Sequence, residues 1–413
     1  MGIMVKKRLG EGMKKPELLA PAGDLERAKT AILYGADAIF LGGQNFSLRS
    51  RASNFSLEDI QEACAFAKEH GSRVHVTVNV IPHQEDFNGL KIYLKKLEEF
   101  GVTAIIVASP AIMRIAKEVA PKLEVHCSTQ MSITNVETAK FLVDEFHLDR
   151  VVLARECSIE EVRAITKECP VEVEAFIHGG MCVNYSGRCT LSNRMTLRDA
   201  NRGGCAQSCR WEYKLFDGEK ELSQEQFFTM SSKDLMAAEY IYDLMMAGVA
   251  SFKIEGRMKT EYYVANVVRA YRELIDAIWT KRDRLSDEEM LVYLKEIARV
   301  ENRETASGLY PGKEDENTIL YHPTTNNDVN HDFISTIMEY DHGFVRMQVR
   351  NAFCVGETLE VLSPGMPKRS FVVKHIQNMD GEVMERAKRP MEIVEIPVPF
   401  ALKKDDIIRR GRS

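Results

Sequence analysis

The stretch ELLAPAGDLERAKTAILYGADAIFLGG, residues 17–43, sets the reading of the whole chain. Two short apolar runs, 17–23 and 37–43, end in glycine, and a helix-length amphipathic segment separates them. Apolar runs of this kind suit strands buried on both faces, and a helical crossover between two of them makes the pair parallel. The unit recurs at RVHVTVNV (73–80), TAIIVAS (103–109), LEVHCSTQ (123–130), RVVLARE (150–156), VEVEAFIHG (171–179) and SFKIEGR (251–257). Intervening segments carry apolar residues at helical spacing, such as Leu57, Ile60, Cys64 and Ala67, or Val264, Val267, Val268, Tyr271 and Ile275. Eight such units predict an α/β fold, a closed (β/α)₈ TIM-like barrel over residues 16–280 rather than an open doubly wound sheet. Several of the runs end in polar or glycine residues, and in a barrel those ends converge on one mouth, where active sites of the fold lie.

The rest of the chain divides by texture. Residues 1–15 lack periodicity and read as a disordered leader. The seventh strand leads into a cysteine-rich insertion, residues 179–213, in place of a helix. A charged helix and a long polar linker follow over 281–330, and 331–413 alternate in short runs that predict a small all-β domain, a β-barrel or sandwich. Its end is basic through Lys403, Lys404, Arg409, Arg410 and Arg412, which suits either contact with RNA phosphate or a solvated surface. With 45% hydrophobic and 28% charged residues the chain is globular, and its 413 residues hold no apolar stretch of the roughly 20 residues a membrane span needs. No signal peptide is visible, so the expected location is cytoplasmic, with no membrane partner. A net charge of −6 means that any nucleic acid must be met by a local basic patch.

Four of the nine cysteines fall within the insertion, Cys182, Cys189, Cys205 and Cys209, spaced C-x6-C-x15-C-x3-C. Glycine and polar residues surround them, unlike Cys64 and Cys354, which sit singly in apolar runs, or Cys127, Cys157 and Cys169, which read as buried thiols. Thiolate ligands need a pliable loop, so metal ligation is the expectation. Structural zinc favours tight C-x2-4-C pairs, approached here by Cys205 and Cys209 alone, whereas iron–sulfur clusters accept wider spacing. A [4Fe-4S] cluster is therefore expected, with zinc as the alternative.

The run EAFIHGGMCVNYSGRCTLS (174–192) resembles the signature of the collagenase-like "U-thirty-two" peptidase family. ELLAPAGDLE (17–26), RGGCAQSCRWEY (202–213), SSKDL (231–235), KIEGRMK (253–259) and NRETASGLY (302–310) resemble it too. Despite the family name, the resemblance implies an iron–sulfur protein of RNA or quinone hydroxylation. The nearest branch is the prephenate-dependent 5-hydroxylation of uridine 34 in tRNA, in which four cysteines hold the cluster. tRNA and prephenate are then the implied partners, together with a possible paralogous subunit. Peptidase motifs are missing: no H-E-x-x-H and no G-x-S-x-G occurs, and a Cys–His pairing is open only through His178 and Cys182.

Prephenate carries two carboxylates, and arginine grips a carboxylate through two hydrogen bonds. Arg155 and Arg257, at strand ends, are the expected clamps, with Lys253, Gln130 and Asn79 as further substrate-binding residues. Rim salt bridges are the competing reading of the two arginines. His178, Glu174 and Glu255 are the expected catalytic groups; Glu174 and His178 are read as sharing an inward face with Phe176, and an ion pair is the competing reading of Glu174. Tyr185, Trp211 and Tyr213 flank the cysteines, where they suit either stacking on an extruded base or packing around the cluster.

Overall fold

The computed structural model describes residues 9–10, 12–48, 54–223, 227–300, 303–312 and 331–412. The expected leader residues 1–8 and 11 and the linker residues 313–330 lie outside the described residues. Eight parallel strands close on themselves: β1 Glu17–Pro21, β2 Ala38–Gly42, β3 Arg73–Val78, β4 Ala104–Val107, β5 Glu124–Cys127, β6 Arg150–Val152, β7 Glu172–Gly179 and β8 Ser251–Ile254. Each pairs with the next, and β8 closes the cylinder by pairing with both β7 and β1. Every strand the sequence singled out is present; all but β7, which runs to Gly179 as expected, are shortened by one to four residues at the mouth end.

Helices α1 Leu25–Leu33, α2 Leu57–Glu69, α3 Leu90–Glu99, α4 Pro110–Val119, α5 Val136–Phe146 and α6 Ile159–Glu168 cover the first six strands. Their starts are written locally. The side chains of Asp24, Ser56, Asn135 and Ser158 each accept a hydrogen bond from a first-turn amide, and Pro110 opens α4. After β7 come the short helix α7 Leu191–Thr196, a strand Asp234–Met236 antiparallel to β7, and α8 Ile241–Ala247. The long helix α9 Glu261–Lys281 and α10 Asp287–Ala298 complete the ring.

The barrel interior is only partly apolar. Leu19, Ala38, Phe40 and Ile106 form a small inner cluster separate from the main core between strands and helices. Below the mouth lies a buried charge network: Arg150 donates to Glu17 at 2.6 Å, Glu172 at 2.8 Å and Glu174 at 3.2 Å, and Lys253 donates to Glu174 at 2.8 Å. Among the described residues of the expected leader, Leu9 is buried and Lys15 pairs with Asp276.

The C-terminal part is all-β, a seven-stranded antiparallel sheet built around Phe333–Asp341, Phe344–Val349, Ile393–Pro397 and Ile407–Arg410. It docks through charge. Arg409, fully buried, donates to Asn266 at 2.6 Å and Glu360 at 2.9 Å and pairs with Glu296 of α10. Tyr34 of the barrel donates to the carbonyls of Leu362 or Asp405, each 2.9 Å away. The arginines of the basic end are therefore committed, Arg410 to Glu357 and Arg412 to Asp332, whereas Lys403 and Lys404 are exposed. No described helix is long and apolar enough to cross a membrane.

Candidate functional site at the barrel mouth

The insertion after β7 folds back across the strand ends and is fastened to three of the connections that follow them. Beyond β3, the Ile81 amide donates to the Asn201 carbonyl at 3.2 Å and Arg202 donates to the Ile81 carbonyl at 2.8 Å. Beyond β5, Ser132 donates to the Ser186 carbonyl at 2.6 Å. Beyond β6, Glu156 accepts from the Ser186 amide at 3.0 Å, and Arg155 donates to the Gly180 carbonyl. Two glycines make the close seating possible. Gly187 and Gly179 have φ of +77° and +108°, and a Cβ on either would collide with the backbone carbonyl of Gln130 or of Glu255.

This seating gathers the four cysteines. Burial pushes the Cys209 thiol up against the pull of Arg210, and Cys182, Cys205 and Cys189 push it up further, so these three lie within electrostatic reach of Cys209. Three of the sulfurs face nitrogen donors: Arg155 Nη2 is 3.6 Å from Cys182 Sγ, Asn184 Nδ2 is 3.2 Å from Cys189 Sγ and the Gln207 amide is 3.4 Å from Cys205 Sγ. Hydrogen-bond donors at the sulfurs are among the groups that tune a cluster where one is bound. Among the described residues no three of these thiols lie within 4.8 Å of one another. A tetrahedral zinc–thiolate site, with bonds of about 2.3 Å, would draw its sulfurs to roughly 3.8 Å. As the loop stands, no three of the four sulfurs are at that spacing among the described residues.

A group of cations that sequence reasoning did not single out stands beside the cysteines. The carboxylate of Asp234, a residue only 7% exposed, has Arg303 at 3.7 Å and Arg210 and Lys259 each at 3.9 Å. These separations are too long for hydrogen bonds. Three positive groups thus crowd one carboxylate. Burial, with Arg303 and Arg210, holds Lys259 below its usual range against the pull of Asp234, and burial with Arg210 lowers Arg303 likewise. Gly180 touches the group: a Cβ there would lie 3.6 Å from Arg210 Nη2 and 3.9 Å from Asp234 Oδ1. The surplus of cations suits a ligand with more than one negative charge.

The residues expected from sequence fall in several places. Arg155 reaches the mouth, where it holds the loop at Gly180 and Cys182 and lies over the Phe176 ring at 5.2 Å. Arg257, 3% exposed, donates to Asn54 at 3.0 Å and Ser47 at 3.2 Å. Asn79 accepts from the Leu48 amide at 3.3 Å, and the Gln130 backbone receives Gly187 while its Oε1 has no hydrogen-bond partner among the described residues. Lys253 is not at the mouth; alternation turns it into the barrel, where it pairs with Glu174. Glu174 is likewise a fully buried ion-pair partner, as its competing reading held.

His178 departs most from expectation. The ladder between β7 and β8 shifts register, pairing Lys253 with Phe176 but Ile254 with His178, so the inward alternation of Glu174 and Phe176 does not carry on to His178. The ring packs edge-on against Tyr271 of α9, 3.3 Å from its hydroxyl, and near Tyr263. Burial, then Lys259, pushes its pKa down to about 3, which keeps the ring neutral. The adjacent Glu255 accepts from Tyr263 at its carbonyl, 3.1 Å away. Of the flanking aromatics, Tyr185 and Trp211 are exposed, whereas Tyr213 packs on Phe228.

Residues 23–320 match the family model described as Peptidase family U32, and residues 329–409 that of its C-terminal domain. The chain is 42% identical over 410 residues to "tRNA hydroxylation protein P1" of Bacillus subtilis, covering 97% of this chain and 96% of that one. It is 42% identical over 270 residues to "23S rRNA 5-hydroxycytidine C2501 synthase" of Escherichia coli, covering 65% of this chain and 41% of that one. A "Collagenase" of Porphyromonas gingivalis is 36% identical over 312 residues, covering 72% of this chain and 74% of that one.

Proposed function

This chain belongs to Peptidase family U32, and on that footing we propose that it hydroxylates RNA, adding oxygen at C5 of the wobble uridine 34 of tRNA with prephenate as co-substrate. The observation that carries the reading is the gathering of Cys182, Cys189, Cys205 and Cys209 over the barrel mouth beside the cations grouped on Asp234. The four thiolates would hold a [4Fe-4S] cluster. Hydroxylation of a pyrimidine carbon is a two-electron oxidation, and a bound cluster supplies electron-transfer capacity.

The chain's own groups supply the rest. Arg210, Lys259 and Arg303 bind the carboxylates of the co-substrate, and Asp234 keeps the three together when the pocket is empty. Arg155 orients the loop at Gly180 and donates to Cys182. Tyr185 and Trp211 are exposed aromatic faces on which an extruded base stacks. The same insertion carries Arg188, Arg194, Arg198 and Arg202 along its sequence, of which Arg202 pairs with Asp86 and Arg188 donates to Ser132. The names of two relatives favour RNA hydroxylation. The collagenase name of a third finds less support, since the His178 ring is turned toward Tyr263 and Tyr271 rather than poised as the base of a cysteine nucleophile.

Protein purified without oxygen is expected to be brown, with about four irons and four sulfides per chain. Cys205→Ala should lose most of that iron. Deletion of the gene should remove 5-hydroxyuridine-derived nucleosides from digested tRNA. A colourless protein carrying one zinc, or unchanged wobble nucleosides, overturns the reading.

A further inference from the structure

The inside of the barrel holds a second group of metal-ligating side chains, away from the cysteines. Strands β3, β5 and β7 each send one residue into the cylinder: His75, His126 and Glu174. Alternate strands supply one layer of side chains in a barrel of this type, so these three belong together by topology. One ligand atom from each lies within 4.8 Å of the others. All three residues are fully buried.

Their hydrogen bonding is incomplete. Both ring nitrogens of His75 and Nδ1 of His126 are buried without a hydrogen-bond partner among the described residues. A buried polar atom left in that state is destabilising, and here three share one layer. The two imidazoles meet edge to face, centroids 4.9 Å apart, so they do not serve each other. The remaining nitrogen of His126, Nε2, is 3.0 Å from Glu124. A carboxylate on the far side of an imidazole is the arrangement that orients a metal-bound histidine.

We propose that this layer binds one divalent first-row transition-metal ion of the zinc class through His75, His126 and Glu174, with Glu124 as the positioning residue behind His126. Bonds of about 2.0–2.2 Å let one ion join donors up to roughly 4.4 Å apart, so small side-chain rotations close the site. Two imidazoles and a carboxylate favour Zn²⁺ or Fe²⁺ over Ca²⁺ or Mg²⁺. The surroundings tolerate added positive charge: the network joins the carboxylates of Glu17, Glu124, Glu172 and Glu174 but only three cations, Arg73, Arg150 and Lys253. Glu174 keeps lone pairs for the ion while accepting from Lys253 and Arg150. A cavity of about 460 Å³, lined by Glu17, Arg73, Arg150 and Glu172 among others, lies at the opposite end from the mouth and reaches Arg150, which donates to Glu174. Such an ion ties three strands at their centre and stands apart from the sulfur-rich mouth in both place and donor chemistry.

Co²⁺ titrated into the full chain under nitrogen tests this. Cobalt on thiolates gives an intense charge-transfer band, and cobalt on imidazole and carboxylate gives only weak visible bands. The expectation is one equivalent retained after desalting with the weak bands, displaced by Zn²⁺, and a rise of several degrees in melting temperature. His75→Phe and His126→Phe, which keep the ring volume, should each abolish these bands and leave cluster iron unchanged, whereas Cys205→Ala should leave the bands intact. If the wild-type chain retains no cobalt outside its thiolates, or either phenylalanine variant folds and still binds a full equivalent, buried water fills the layer and the proposal fails. The wild-type spectrum alone decides the matter should neither variant fold.

Discussion

Asp234 holds three cations at a distance, and that restraint defines what the mouth can bind. Arg303→Ala removes one of the charged donors, each worth roughly 1.5–3 kcal/mol, so the KM for a dicarboxylate co-substrate should rise about 10–100-fold with a smaller change in kcat. Steady-state kinetics on tRNA at varied co-substrate checks it; an unchanged KM removes Arg303 from the pocket. Deeper in, Glu174→Ala strands Lys253 without its partner and should cost about 3–5 kcal/mol in denaturant unfolding. The four cysteines were legible because polar, glycine-rich surroundings are wrong for core thiols. The cation pocket was not, since it draws one residue from each of four separate segments: Arg210, Asp234, Lys259 and Arg303. Each lies inside a run that carried the family resemblance, which was the available signal. No spacing rule joins such distant positions.

Among the elements, the strands were readable because both faces of each are buried, and the C-terminal end of α10 shows where local pattern stops being enough. Glu296 there meets Arg409, the end of a basic run that reads as a solvated tail yet is fully buried. Burial alone would raise the Glu296 pKa, but the hydrogen bond and charge of Arg409, with Lys368, bring it down to about 2. A carboxyl whose folded pKa lies below its ordinary 4.5 adds stability above that pH and loses it as pH falls toward 2. The shift corresponds to about 3 kcal/mol. Calorimetry between pH 5 and 2 should therefore show a falling melting temperature, and Glu296→Gln should start less stable and fall less steeply. A parallel slope in the variant would exclude this pair as the source. His178 failed to follow its strand for a similar reason: the register shift against β8 belongs to the pairing of two strands, which neither run reveals by itself.

For the molecule as a whole, the manner in which the insertion is held separates its fold from its cargo. Its anchors beyond β3, β5 and β6 are hydrogen bonds between protein groups, and the strand Asp234–Met236 lies against β7. Air oxidation or a chelator should strip iron and colour yet leave the far-ultraviolet dichroism in place, with a melting temperature lowered by no more than several degrees. Collapse of the dichroism on bleaching would show that metal, not these anchors, shapes the mouth. This contrasts with small zinc modules, which are unfolded without their ion. The consequence is a receptacle shaped by protein contacts alone: were a cluster bound there and then lost, the four sulfur donors would keep their places, and reloading would require no refolding.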